Sequence, residues 1–184
     1  MLAALGAGFP TPIVVDLHHR PPSHLGEILE RRTDLSVRTA QEGEAPVSGA
    51  VTLAPPGRQL RFAASVGTMG VEDLPPDALG HPSADVLLAS AAAAFGPRMV
   101  AVIMSGKLDG GAAGAAAVKR DGGRVLVQDP ETAEAVDMPT AALATGCVDF
   151  ALSPAGLAHA LTVYCAVHGG ADLFRTRRAP GASV

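Results

Sequence analysis

The stretch that most constrains this chain is a strand, a glycine-rich turn and a helix in direct succession between residues 99 and 120. Met99-Val100-Ala101-Val102-Ile103-Met104 is a short, unbroken apolar run, the pattern of a buried strand. Ala112 to Arg120 is rich in alanine and predicts a helix, because alanine gives up the least side-chain freedom on becoming helical. Between them, Ser105-Gly106-Lys107-Leu108-Asp109-Gly110-Gly111 must reverse the chain within a few residues. A strand that ends in glycines and feeds a helix opens at the carboxyl edge of a sheet, where α/β folds place their sites. Asp109 is the one acid in this turn. Its side chain can cap the helix, or its carboxylate can be held for another group to use.

The remaining segments fit the same architecture. Met1 to Leu5 reads as the last turns of a helix, and Gly6 to Pro12 as a loop rich in breakers. Ile13-Val14-Val15 is β-branched throughout and predicts a strand. Ser23 to Arg32 predicts a helix with Ser23 as its N-cap, and Leu35 to Thr39 a short strand. Gly49 to Phe62 reads as a hairpin, two apolar runs around a Pro-Gly turn, and Ala63 to Pro82 as a loop. A long helix is expected from His81-Pro82 to about Phe95, with Asp85 near its positive end. Arg124 to Gln128 predicts a strand, Asp137 to about Thr145 a helix, Val148 to Leu152 a last strand and Pro154 to Val167 a closing helix. The alternation predicts an α/β fold, a doubly wound and mainly parallel sheet flanked by helices, with an antiparallel hairpin at one side. Residues 1–168 form the expected domain, and 169–184 a loose, partly basic tail.

Composition narrows the function. A chain of 184 residues with 48% hydrophobic residues is one globular domain's worth. No run approaches the ~18 apolar residues of a membrane span, and Met1 to Pro12 lacks the basic start of a signal peptide, so the expected location is the cytoplasm. A net charge of -4 and 3% aromatic residues argue against a nucleic-acid partner. Cys147 and Cys165 lie far apart and fit no metal or redox spacing, so no metal is expected and both read as small buried side chains. No cofactor is expected either. A dinucleotide site needs G-x-G-x-x-G after the first strand, and Gly106 to Gly114 has the wrong spacing late in the chain.

The order of several short motifs is more specific than any one of them. His81-Pro82-Ser83-Ala84-Asp85-Val86-Leu87-Leu88-Ala89-Ser90 comes first, and the Ser105 to Gly110 turn follows. Gly122-Gly123 then opens a strand that ends in Gln128-Asp129, and Asp137-Met138-Pro139 comes last. This order resembles the catalytic domain of the CheB-type protein-glutamate methylesterases of bacterial chemotaxis. That family has an H-x-P-x-D-x-L-x-x-S helix, an L-T-G-x-G-x-D-G turn, a G-G strand ending in Q-D, and then G-M-P. The resemblance covers about Phe9 to Ala160.

The resemblance implies hydrolysis of glutamate methyl esters on chemoreceptors by a serine, a histidine and an aspartate. A methylated chemoreceptor or similar signalling protein is then the expected partner. The orienting acid would be Asp109. The base would be His18, by alignment forward from Phe9-Pro10; alignment backward from Glu27 puts Asp16 there, and the strand end is the better anchor. Gln59 stands near a place where the family often has histidine. His81 lines the site or contacts the helix start. Lys107 departs from the small residue or methionine common in the turn. The family's G-x-S-x-G-G turn, which carries the nucleophile, has no match in this sequence, and Ser105 takes the threonine place of the later turn. The expectation is therefore a domain truncated at its N-terminus relative to the family, without a receiver domain. The alternative is a serine-less, catalytically inactive interaction module in a chemosensory-like system.

Overall fold

The computed structural model describes residues 1–17, 23–74 and 83–166. Eight strands and five α-helices follow one another within them: β1 (Ile13–Val15), α1 (Leu25–Glu30), β2 (Ser36–Thr39), β3 (Ala50–Leu53), β4 (Arg58–Phe62), β5 (Met69–Asp73), α2 (Ala84–Phe95), β6 (Val100–Ile103), α3 (Ala112–Arg120), β7 (Arg124–Gln128), α4 (Asp137–Ala144), β8 (Phe150–Leu152) and α5 (Pro154–Ala166). Met1 to Leu5 holds a single 3-10 turn, Leu2–Ala4.

The parallel strands fall into two three-stranded sheets. In the first the order is β1-β3-β2, with Val51 facing Ile13 on one side and Val37 on the other. In the second it is β6-β7-β8, with Val127 between Ile103 and Ala151. The middle strand of each is the most buried: all four residues of β3 are buried, and so are Val125 to Gln128 of β7. The second sheet is wound by α3 and α4, each connecting one strand to its parallel neighbour as such crossovers require. Both sheets share one core, in which Val51 and Leu53 meet Leu126 and the Leu157, Leu161 and Tyr164 face of α5.

The antiparallel pair lies elsewhere than expected. β3 does not fold back on β4; it joins the first parallel sheet, while β4 pairs with β5, setting Leu60 against Val71 and Phe62 against Met69. Pro55 and Pro56 have no amide proton for a ladder, so the chain leaves one sheet there rather than turning back on it. The reversal is made by residues 63–68 instead, where Ala63 N–H donates to Thr68 O and Gly67 takes φ 68°. The segment expected to be a loop from Ala63 to Pro82 thus contains β5. The hairpin packs on α2 through Phe62 and Phe95, whose ring centroids are 5.0 Å apart at 77°. Gln59, buried, ties the hairpin to the helix start: its Oε1 accepts from Ser83 N–H at 2.7 Å and its Nε2 donates to Ser83 O at 3.2 Å.

Candidate active site

The turn between β6 and α3 is held from the side of α4. Ser105 N–H donates to Gln128 Oε1 at 3.0 Å, and Gln128 Nε2 donates to Thr132 O at 2.9 Å. Gln128 ends β7 and is only 5% exposed, so both bonds lie at the carboxyl edge of the second sheet, largely out of water. Ser105 Oγ accepts from Ala135 N–H at 2.9 Å, which engages this hydroxyl in holding the turn. Gly106 N–H donates to Ala135 O at 3.1 Å, and Met138 N–H donates to Gly106 O at 3.0 Å. A Cβ on Gly106 would meet the Met138 side chain, whose thioether would have to swing aside to admit it.

Past this clamp the backbone becomes unusual. Leu108 has φ 67° and is, among the described residues, the one non-glycine with positive φ. That conformation costs a leucine about 1–2 kcal/mol. Its side chain is 76% exposed, so packing does not compensate. Its N–H donates to Asp137 Oδ2 at 3.3 Å, at the first residue of α4. Counted from Gly106, Leu108 stands at the second glycine of the L-T-G-x-G-x-D-G pattern, and the acid arrives one residue early. The turn keeps the glycine-like backbone without the glycine.

Asp109 follows, and its side chain is exposed. It does not cap α3. The N-cap is Gly111, at φ 93°, without a side-chain bond, while Asp109 contributes its carbonyl to Ala112 N–H at 3.3 Å. The carboxylate instead borders a shallow groove of about 490 Å³, shared with Leu108, Val136, Asp137 and Thr140. Lys107 is exposed beside it. His18 and His81 lie outside the described residues. Asp16, just past β1, is half-buried. Among the described residues no group of acids, histidines and cysteines is arranged to hold a metal. Cys147 and Cys165 are free thiols and half-buried, less buried than expected. Burial pushes the Cys165 thiol up, against a hydrogen bond with Thr11 that lowers it.

Three contributors escaped the sequence reading. Asp137 grips Leu108 across 29 positions, and Gln128 holds Ser105 across 23. Asp85, expected only to favour the start of its own helix, accepts from Gly114 N–H at 2.6 Å and so joins α2 to α3. Each was visible as a polar residue at an element end, but nothing local names its partner.

The model of the CheB methylesterase family matches residues 1–161. The chain belongs to that family. A protein-glutamate methylesterase/protein-glutamine glutaminase of Geobacter sulfurreducens is 35% identical over 154 residues, which is 81% of this chain and 41% of that relative. A putative one from Leptospira interrogans is 33% identical over 161 residues, 83% of this chain and 80% of its own length. The first-named relative and several others are much longer, so the chain spans about two fifths of their length. Among solved structures, the CheB methylesterase catalytic domain of Thermotoga maritima is similar, with a TM-score of 0.81 and 30% identity over 88% of this chain and 87% of that one. The α/β fold with its mainly parallel strands is thus the family's fold. Among the described residues no helix is long and apolar enough to cross a membrane.

Proposed function

We propose that this chain forms the greater part of a protein-glutamate methylesterase catalytic centre that acts on methylated glutamates of chemoreceptor-like proteins in the cytoplasm. What supports the reading most is the agreement with the Thermotoga maritima catalytic domain over 88% of the chain. The relatives' names add hydrolysis of protein glutamine side chains as a second reaction. Both are acyl transfers to water, and both need a nucleophile, a base and a stabilised oxyanion.

In this reading His18 accepts the proton of the attacking group. Asp109 holds the imidazole in the tautomer that can do so. The nucleophile is a serine of the G-x-S-x-G-G type, which these 184 residues do not contain. The test therefore uses the protein purified from its own cells beside the 184-residue chain. Each is mixed with the methylated cytoplasmic fragment of a chemoreceptor from the same cells, and released methanol is counted. The expected result is release by the native protein, reduced about 10³-fold or more by His18→Gln, and by a smaller but still large factor by Asp109→Asn. Undiminished release from both variants would sink the residue assignments. No release from the native protein, with binding of the fragment retained, would replace the esterase reading with that of an interaction module.

A further inference from the structure

We propose that Asp137 is a positioning residue for Asp109. Its carboxylate fixes Leu108 in the left-handed conformation and so sets the direction in which Asp109 leaves the turn. The inference rests on the reading of Asp109 as the orienting acid.

A leucine such as Leu108 keeps a positive φ only where its surroundings over-determine it. Its own side chain is 76% exposed and contributes little packing. On one side Gly106 is clamped to Ala135 and Met138, and on the other Asp109 O accepts from Ala112 N–H. The flanks are therefore fixed, and Leu108 is the hinge between them. The bond that grips the hinge is the one from Leu108 N–H to Asp137 Oδ2, at 3.3 Å. Asp137 is itself steady, because it opens α4 and its neighbour Met138 is bonded back to Gly106. If Leu108 relaxed to negative φ, the next residue would leave the turn in a different direction, and that residue is Asp109. The two positions also depart together from the family pattern. Leu108 stands where the pattern has its second glycine, and Asp137 where it has the glycine of G-M-P. A backbone that loses the freedom of glycine at one position has gained a strap from the other.

Asp137 and Asp109 border the same groove, so a charge effect of Asp137 must be separated from its hydrogen bond. Asp137→Asn keeps an acceptor and removes the charge; Asp137→Ala removes both. Leu108→Gly takes the turn without strain and has no need of the strap. The four proteins to compare with wild type are Asp137→Ala, Asp137→Asn, Leu108→Gly and the double variant Asp137→Ala/Leu108→Gly. The readouts are amide exchange at residues 108–110 by NMR, and kcat and KM for methanol release by each protein expressed in its own cells. Asp137→Ala is expected to speed exchange at Leu108 about fivefold to tenfold and to lower kcat by a similar factor at unchanged KM. Asp137→Asn, which keeps an acceptor, should lose less kcat and less protection at Leu108 than Asp137→Ala, and Leu108→Gly should restore kcat to Asp137→Ala. Unchanged exchange in Asp137→Ala, or a double variant no better than Asp137→Ala, would overturn the proposal. The source of a failure can be read off. If Asp109→Asn keeps full activity, the orienting role of Asp109 has failed. If Asp109→Asn is impaired and Asp137→Ala is not, the strap has failed.

Discussion

Tyr164 is the one tyrosine of the chain, and there is no tryptophan, so its ionisation can be followed alone by ultraviolet absorbance. It lies on α5, buried against the core that both parallel sheets share. Burial pushes the phenol above its ordinary value of 10.0, the negative charge of Asp149 pushes it further, and Arg124 opposes the shift. Asp149 is 6% exposed at its side chain. It accepts from Lys119 Nζ at 2.6 Å, Arg124 Nη1 at 3.4 Å and Val125 N–H at 2.8 Å. Asp149→Asn keeps an acceptor for the Val125 amide but removes the charge, so Tyr164 should titrate at lower pH than in wild type. An unmoved titration would mean that Asp149 does not act on Tyr164. The fold favours the protonated phenol, so this group's contribution is complete below pH 10.0 and is lost as pH rises through the raised value. Urea midpoints measured on either side of that pH should show the fall.

At the scale of elements, the contact most sensitive to a single methyl group is the crossing of α2 and α3. A Cβ on Gly114 would lie 2.6 Å from Leu88 Cβ and 3.2 Å from the Asp85 Cα, atoms that cannot move without shifting α2. The same approach brings Gly114 N–H to the Asp85 carboxylate. Gly114→Ala gains about 1 kcal/mol of helix propensity, but overpacking of this kind costs about 1–3 kcal/mol and the buried bond is stretched as well. The net expectation is a loss of about 1–2 kcal/mol in urea unfolding, and a neutral or stabilised variant would show that the helices can part. The identity of α3 was legible from alanine content, and its close packing was not, since Gly114 in a helix gives no sign of what it touches. β1, β6 and β7 were legible as strands from their apolar runs, whereas the run of β3 suggested a hairpin arm and β2 has no such run. The hairpin was not legible, because strand pairing is a non-local choice. β5 contains Gly70, Glu72 and Asp73, residues poor in strand propensity, and it is a strand because β4 lies beside it. The site divides in the same way. The turn after β6 and its acid were readable in a line of sequence, whereas Asp137 and Gln128 reach it from other elements.

At the scale of the whole molecule, the parallel strands expected of one sheet form, among the described residues, two three-stranded sheets. β3 and β7 each pair on both sides, while among the described residues β1 pairs with β3 alone and β6 with β7 alone. The burial follows this order: β3 is buried at every residue, and β1 is half-buried at every residue. Both sheets rest on the same core, with Ile13 and Val15 of β1 and Val100 and Val102 of β6 packed against it. Successive amides of a strand point to opposite edges, so about half of those in β1 and β6 have no ladder partner among the described strands. Exchange should read this out strand by strand. Ala50 to Leu53 and Val125 to Gln128 should exchange at the rate of global unfolding, and the outward amides of β1 and β6 at least about tenfold faster. Equal protection across β1 and β3 would mean that a further strand pairs with β1 in solution. Protection gained on β1 and β6 together, in the protein purified from its own cells but not in the 184-residue chain, would place one parallel strand between them. The carboxyl end of β6 leads to Asp109, so that strand would deliver its following turn beside the proposed acid.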